Sequence, residues 1–250
     1  MIAFPNAKIN LGLNIISKRS DGYHNIETVF YPIDLCDVLE IVPSKEGMTK
    51  LFQTGMPVED DPQKNLVMKA YRLLEKQYTL PPLDIYLDKH IPMGAGLGGG
   101  SADAAFMLRL LNDFAELNLS PEQLEKYAGQ LGADCAFFIR NQPVFAEGIG
   151  TIFTPISLSL EGRRIALVKP DIHVSTQEAY ANIKPQKPQE RITDILQLPV
   201  NEWKNRLTND FEASVFARYP QIEKIKQRLY DDGALYASMS GSGSSVFGIF

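Results

Sequence analysis

The part of the sequence with the clearest chemical potential is a cluster of glycines near the middle of the chain. Five glycines fall within residues 94–100, and Ser101 and an alanine-rich segment follow directly. Glycine lets backbone N–H groups approach a ligand without an intervening Cβ. The helix start that follows adds N–H groups without partners inside the helix and the positive end of the helix dipole. Together these features predict a phosphate-binding loop.

A flexible turn is the alternative interpretation of these glycines. Ordering the consecutive glycines at 98–100 costs backbone entropy, and a helix opens immediately afterwards, so we favour a ligand-binding loop. The loop is not of the Walker A type, because no Lys stands between the last glycine and Ser101. Gly94, Gly96 and Gly99 have the G-x-G-x-x-G spacing, which by itself is weak evidence for a dinucleotide-binding fold.

An alternating segment near the N terminus and a carboxylate further along the chain supply candidate catalytic groups. In residues 7–15 the apolar side chains occupy odd positions, which predicts a half-buried strand with Lys8 and Asn10 on one face. Asp134 precedes a strongly apolar run, where a carboxylate needs a cation or hydrogen bonds to stay charged. Lys8 is a candidate for that cation. The alternatives are a solvated lysine and an aspartate that caps a short helix.

The elements that must position these groups mix strands and helices. Strands are predicted at residues 23–30, 38–42, 49–54, 83–87, 163–169, 234–238 and 246–250. Helices are predicted after an Asn65 N-cap, from Ser101, and after capping boxes that begin at Ser120 and Ser175. A second glycine-serine loop spans residues 240–245. Because regular βαβ alternation is absent, the sequence predicts an α+β fold with two lobes, at residues 1–155 and 156–250.

Composition limits the possible classes of function. The chain has 250 residues and a net charge of −5, which argues against a nucleic-acid binder that depends on an excess of Lys and Arg. Its two cysteines are too few for a disulfide framework or a four-ligand zinc site. Neither a signal-peptide pattern nor an apolar run of membrane-spanning length is present in the sequence, so we expect a cytoplasmic protein without a membrane partner.

Several separated segments together resemble the GHMP small-molecule kinases, and the resemblance extends over essentially the whole chain. The segments are Ala7-Lys8-Ile9-Asn10-Leu11, Asp21-Gly22-Tyr23-His24, residues 92–105, Gly132-Ala133-Asp134, Asn209-Asp210-Phe211-Glu212 and residues 239–247. The glycine loop indicates only the superfamily. The Asp-Gly-Tyr-His element resembles the branch whose acceptor is 4-diphosphocytidyl-2-C-methyl-D-erythritol, in non-mevalonate isoprenoid synthesis.

The resemblance implies a fold, a reaction and its cofactors. The implied fold has an N-terminal lobe like domain 2 of ribosomal protein S5 and a ferredoxin-like C-terminal lobe. The implied reaction is phosphorylation of the 2-hydroxyl of that cytidine diphosphate compound by ATP with Mg²⁺. The sequence does not specify ligands for the metal, although Ser101 is a candidate contact. We expect a monomer or a homodimer.

The resemblance also implies roles for individual residues. Asp134 would be the catalytic base, and Lys8 would keep it ionised and stabilise charge on the transferred phosphoryl group. The implied ATP-binding residues are Asn65, Lys89, Pro92, Gly94, Gly96, Gly98, Gly99, Gly100 and Ser101, with Asn65 and Lys89 near the adenosine. The implied substrate-binding residues are Asn10, Tyr23, His24, Thr176 and Tyr180. The family usually has Phe where this chain has Tyr180, a change that keeps the aromatic face.

Two alternatives remain open at this point. Another GHMP kinase, acting on homoserine, mevalonate or a sugar, would share the glycine loop but would give Tyr23 and His24 no nucleobase to bind. A non-catalytic nucleotide- or RNA-binding protein is less consistent with the acidic charge balance and with the coexistence of Lys8 and Asp134.

Overall fold

A computed structural model describes residues 1–56, 61–181 and 183–250 of the chain. The strands are β1 (Ile2–Ala3), β2 (Asn6–Lys18), β3 (His24–Cys36), β4 (Val38–Pro43), β5 (Lys50–Gly55), β6 (Leu83–Lys89), β7 (Val144–Glu147), β8 (Ile152–Pro155), β9 (Ile165–Val168), β10 (Tyr236–Met239) and β11 (Val246–Ile249). The helices are α1 (Leu66–Glu75), α2 (Gly99–Phe114), α3 (Pro121–Leu131), α4 (Phe137–Arg140), α5 (Thr176–Tyr180), α6 (Ile192–Ile195), α7 (Phe211–Arg218) and α8 (Pro220–Asp231). The predicted α+β class is confirmed.

The chain forms two compact units, each assembled from separate stretches of sequence. The first unit contains Met1–Lys8, Pro32–Met93 and Gly98–Gln142. The second unit contains Ile9–Tyr31, Gly94–Leu97 and Pro143–Phe250. These units interleave along the chain, whereas the predicted lobes at residues 1–155 and 156–250 are continuous, and that division stays a prediction.

The first unit is built on a four-stranded sheet. Its strand order is β1-β4-β6-β5, with β5 parallel and β4 antiparallel to the central β6. Leu83, Ile85 and Leu87 of β6 are buried in alternation with more exposed neighbours, as expected for a strand with one face on a core. Helices α1 and α2 pack closely against each other in the same unit. The end of β6 leads into the glycine loop, so this sheet fixes where the loop begins.

Local sequence signals account for the helix starts in the first unit. The Asn65 side chain accepts a hydrogen bond from Val67 N at 2.8 Å, which confirms the predicted N-cap of α1. Helix α3 has the predicted capping box between Ser120 and Gln123. Helix α2 begins at Gly99, two residues before the predicted start, because Gly98 is its N-cap at φ 72°. Glycine adopts that left-handed conformation without the steric cost that a side chain brings.

The second unit contains two sheets. One has the order β2-β3-β7-β8, although the first residues of β2 and the last residues of β3 belong to the first unit. The other has the order β10-β11-β9 with antiparallel pairs, so residues 240–245 connect neighbouring strands as predicted. Helices α7 and α8 meet at Pro220, and their apolar faces share a core with Leu13 and Ile15.

Within the described ranges, no helix combines the length and the apolarity that crossing a membrane requires.

Candidate active site

The start of α2 is the feature of the first unit best suited to an anion. No side chain hydrogen-bonds to the N terminus of this helix within the described residues. The space beside the Cα of Gly100 is open. A Cβ atom placed there would have one described residue within 4 Å, Leu66, whose Cδ1 would lie 3.7 Å away. The first-turn N–H groups of α2 are therefore uncapped, and the helix dipole adds a positive potential there. This arrangement can bind a phosphate group.

Lys8 and Asp134 lie beside the same glycines. Lys8 Nζ is 3.4 Å from Asp134 Oδ2, and the lysine is 4% exposed whereas the aspartate is 33% exposed. A Cβ on Gly98 would lie 3.3 Å from Lys8 Cε, so the lysine side chain passes next to the N-cap of α2. The N-cap of the short helix α4 is Ala136, so the alternative that Asp134 caps a helix is wrong. The unit thus places a solvent-reachable carboxylate and a buried cation at a helix start that could bind a phosphate group.

Lys89 occupies a different environment from the one that its predicted role near adenosine suggests. Its side chain is only 2% exposed and forms ion pairs with Asp37 and, at 2.7 Å, with Asp103. A Cβ on Gly99 would lie 3.4 Å from Lys89 Nζ, so this cluster supports the glycine loop from the interior. A contact between Lys89 and a nucleotide stays a prediction.

The two aspartates of this cluster tie separate elements together. Asp37 Oδ1 accepts hydrogen bonds from the backbone N–H groups of His90 and Ile91, just after β6. Asp103 lies in the first turns of α2, and its Oδ1 is buried without a hydrogen-bond partner among the described residues. Burial raises the pKa of Asp103 to about 7, although the nearby Lys89 ammonium opposes this rise.

Of the other predicted nucleotide-binding residues of the first unit, Asn65 and Ser101 lie near the same helix start. Asn65 caps α1, and its neighbour Leu66 approaches Gly100, so the starts of the two helices are adjacent. Pro92 is half-buried in the segment that follows β6. The Ser101 hydroxyl lies close enough to the buried Cys135 thiol to lower its pKa slightly, against the larger effect of burial. Burial raises the pKa of Cys135 to about 11, so this thiol is not a nucleophile at neutral pH.

In the second unit, Gly96 and Asn10 are held by Ser240. A Cβ on Gly96, which has φ 77°, would overlap the Ser240 carbonyl oxygen, so only glycine fits there. Ser240 Oγ donates to Gly96 O at 2.9 Å and accepts from Asn10 N at 3.2 Å. Asn10 Nδ2 donates to Thr28 Oγ1 at 3.0 Å. At Gly94, which is exposed, the nearest side chain to an added Cβ would be His173.

Asn209 fixes the second glycine-serine loop. Its buried amide donates to Met239 O at 2.8 Å and to Gly241 O at 2.9 Å. Its Oδ1 accepts from Phe211 N at 3.0 Å and so begins α7. One asparagine therefore anchors the loop that in turn holds Gly96, which explains why this side chain belongs to the recognised sequence pattern.

An aromatic cluster forms where the substrate-binding residues were predicted. The His24 and Tyr180 rings are stacked at 4.7 Å with 18° between their planes, and Tyr180 meets Phe211 edge-on at 4.7 Å. Tyr23 is 63% exposed. Thr176 Oγ1 is 3.5 Å from Ser242 Oγ. The second unit thus unites His24 with Tyr180 and places Thr176 beside the glycine-serine loop, while Tyr23 presents its ring to solvent.

Sequence reasoning missed the residues that support these groups from behind. Asp37 was not singled out, and Asp103, Ser240 and Asn209 were noted only as parts of longer patterns. A buried charge is rarely left unpaired. Lys89 stands at the end of an apolar strand, and this position could have predicted acidic partners such as Asp37 and Asp103. Nothing in the sequence indicates which serine of residues 240–245 meets Gly96.

Comparisons with known proteins find relatives over the whole length of this chain. The model of the GHMP kinases N terminal domain matches residues 65–142, and the model of the GHMP kinases C terminal domain matches residues 193–250. A 4-diphosphocytidyl-2-C-methyl-D-erythritol kinase from Bacteroides fragilis is 62% identical, over 100% of this chain and 92% of that protein. An enzyme of the same name from Chlorobium limicola is 43% identical, over 98% of this chain and 86% of that protein.

Solved structures give the same result. A crystal structure of a 4-(cytidine 5'-diphospho)-2C-methyl-D-erythritol kinase matches with a TM-score of 0.86 and 32% identity, over 100% of this chain and 90% of that one. The mevalonate kinase of Methanococcus jannaschii matches with a TM-score of 0.73 but only 14% identity, over 100% and 90% of the two chains. The second likeness concerns the fold alone.

Proposed function

The chain belongs to the GHMP kinases, and from this premise we propose that it transfers the γ-phosphoryl group of ATP to the 2-hydroxyl of 4-diphosphocytidyl-2-C-methyl-D-erythritol. The products are the 2-phosphate and ADP, in the non-mevalonate route to isoprenoid precursors. The observation that carries the proposal is the Lys8–Asp134 pair, 3.4 Å apart, beside the uncapped start of α2. High identity to relatives named for this substrate supports the acceptor.

In the proposed reaction, Asp134 accepts the proton of the acceptor hydroxyl as that oxygen attacks the γ-phosphorus. Its exposed fraction lets a hydroxyl reach it, and proton transfer to a positioned carboxylate contributes about 10²- to 10⁴-fold to rate. The buried Lys8 ammonium stabilises the carboxylate and the charge on the transferred group. Gly98, Gly99, Gly100 and Ser101 bind the phosphates through backbone N–H groups and the helix dipole.

We propose that Mg²⁺ accompanies ATP. The described residues contain no cluster of three His, Cys, Asp or Glu side chains that could hold a metal, so phosphate oxygens would supply most of its ligands. Such a donor set suits Mg²⁺, which commonly combines few protein oxygens with substrate phosphates and water. The Ser101 hydroxyl is the protein oxygen placed for this at the start of α2. When bound, the ion would neutralise charge on the β- and γ-phosphates.

We assign acceptor recognition to the second unit. His24 hydrogen-bonds the edge of the cytosine, and Tyr23 and Tyr180 offer aromatic faces to the base. Asn10 and Thr176 bind the polar remainder of the acceptor. Gly94 and Gly96 complete the glycine loop, and Pro92, Asn65 and Lys89 act on the nucleotide side, Lys89 by supporting the loop. We expect the enzyme to work in the cytoplasm as a monomer or homodimer.

The decisive experiment measures ATP consumption with Mg²⁺ and a panel of acceptors. The panel contains the cytidine diphosphate–methylerythritol compound, mevalonate, homoserine and galactose. Turnover with the cytidine compound alone is the expected result. Turnover with another acceptor would keep the kinase assignment and overturn the acceptor, whereas ATP binding without any turnover would indicate a nucleotide-binding protein.

His24→Ala tests the assignment of the acceptor site. We expect a 10- to 100-fold higher KM for the cytidine compound, because one stacked and hydrogen-bonded ring is worth about 1–3 kcal/mol. The KM for ATP should stay within about twofold, since His24 belongs to a different unit from Lys8 and Asp134. Steady-state kinetics with each substrate varied in turn measure both constants. A defect confined to ATP would contradict the assignment.

A further inference from the structure

The second unit contains a cavity that the proposed reaction does not use. It measures about 330 Å³, a size within the range of small-molecule sites, and it opens beside β2. Its floor is formed by Asn14, Ile192 and Ile195, which are all buried. We call it the Asn14 cavity. None of the residues assigned above to ATP or the acceptor lines it.

Asn14 has an unusual position at the bottom of this cavity. Its side chain is only 6% exposed, yet its amide makes no hydrogen bond with any described residue. The adjacent Leu13 and Ile15 point into the apolar core, so strand alternation turns Asn14 away from that core. The amide faces the open space of the cavity and is not sealed in the protein interior. Such a group is expected where a ligand completes its hydrogen bonds.

The walls of the Asn14 cavity are built by specific contacts. Asp210 Oδ2 accepts from Ile15 N at 2.7 Å, which places this carboxylate next to Asn14. Residues 186–190 are largely exposed but are attached at both ends. Gln186 N donates to Ile15 O at 3.0 Å, and Arg206 Nε donates to Glu190 Oε1 at 3.2 Å. This segment therefore forms a fixed wall.

The chemistry of the lining favours one class of ligand. Its charged side chains balance, because Lys187 and Arg206 are matched by Glu190 and Asp210. The other polar groups are uncharged amides and a hydroxyl, contributed by Asn14, Gln186, Gln189, Asn205 and Thr208. Amides and hydroxyls can donate and accept, as alcohol groups can, while the isoleucines suit C–H surface. We propose that the Asn14 cavity binds a small, neutral, hydroxyl-rich molecule.

The test follows the Asn14 side-chain amide by ¹⁵N–¹H correlation NMR of the full chain, with the resonance assigned by its loss in Asn14→Leu. The probes are erythritol and xylitol, with ethanolammonium chloride and sodium lactate as charged counterparts. A saturating shift of the Asn14 resonance with a polyol is the expected result. Saturation with only the charged probes, or a linear response to all of them, overturns the proposal. Thermal shifts are unsuitable for binding here, because polyols stabilise proteins by exclusion.

Two variants separate a binding role from a structural one. Asn14→Leu keeps the side-chain volume approximately and should weaken polyol binding at least about tenfold. Because this variant lacks the Asn14 resonance, its binding is measured on the resonances of other residues that line the cavity. Its Tm should be unchanged or higher. The matched control Gln197→Leu makes the same chemical change at an exposed position outside the cavity and should leave binding unchanged. A Tm several degrees lower in Asn14→Leu would show a structural role and overturn the proposal.

Asp210→Asn, which keeps the acceptor for Ile15 N, should also weaken polyol binding. Unchanged polyol affinity in both Asn14→Leu and Asp210→Asn would overturn the proposal that this cavity is a binding site.

Discussion

The first unit contains two clusters of lysine and aspartate next to the same helix start, and they differ in their access to water. At the Gly98 side, Lys8 is buried but its partner Asp134 is one-third exposed. At the Gly99 side, Lys89, Asp37 and Asp103 are all at least 96% buried. The residue types are the same in both clusters. The clusters therefore differ in the exposure of their carboxylates. The partly exposed Asp134 could exchange a proton with a substrate, whereas the buried Asp37 and Asp103 are accessible only to the surrounding protein.

The comparison also shows how a flexible sequence becomes a fixed loop. Glycines lose much conformational freedom on folding, so a glycine loop needs strong anchors. The buried cluster supplies one, because Asp37 binds the backbone after β6 while Lys89 links it to Asp103 in α2. We infer that the Lys8–Asp134 cluster takes part in the reaction, and that the cluster of Lys89, Asp37 and Asp103 stabilises the glycine loop.

The largest expected effect comes from removing the exposed carboxylate. Asp134→Asn should lower kcat by about 10³- to 10⁴-fold, because the amide cannot accept the proton of the acceptor hydroxyl. ATP affinity should change by less than about threefold, since the helix start that binds phosphate is unaltered. Single-turnover kinetics and equilibrium ATP binding measure the two quantities. Turnover close to that of the wild type would remove Asp134 as the base.

The next effect concerns stability. Lys89→Met leaves two buried carboxylates without a cation and should lower the free energy of unfolding by about 3–5 kcal/mol. Lys8→Met is the matched control: its partner is partly hydrated, so we expect a loss below about 1 kcal/mol but a large loss of kcat. Urea unfolding of both variants measures the difference. Equal losses of stability would break the distinction between the clusters.

A smaller effect is expected in the pH dependence of stability. Because burial raises the pKa of Asp103 to about 7, the folded state binds more protons than the unfolded state between about pH 4 and pH 7. The contribution of Asp103 to stability is therefore fully present at low pH and falls as the pH rises through 7. Asp103→Asn should reduce this slope, changing the difference in unfolding free energy between pH 5 and pH 8 by about 2–3 kcal/mol. An unchanged slope would show that Asp103 does not titrate in this range.

Local signals in the sequence predicted much of the fold. The strand in residues 7–15, the Asn65 N-cap and the Ser120 capping box were confirmed because each depends on side chains close together in the chain. The prediction that this strand is half-buried was wrong, because residues 7–15 are buried on both faces by segments far away in the sequence. The start of α2 was misplaced by two residues, since it depends on the left-handed backbone of Gly98. The roles of individual site residues remain predictions, although Lys8 and Asp134 do lie together.

The sequence by itself determined the family, the class of fold and the position of the glycine loop, because these depend on residue types at fixed spacing. Only the tertiary structure decided which lysine has an exposed partner and which is enclosed, since Lys8 and Lys89 look alike in the sequence. It also decided that Ser240 holds Gly96 and that the Asn14 amide faces a cavity without a hydrogen-bond partner among the described residues. Burial and pairing depend on segments far apart in the chain, and no local pattern records them.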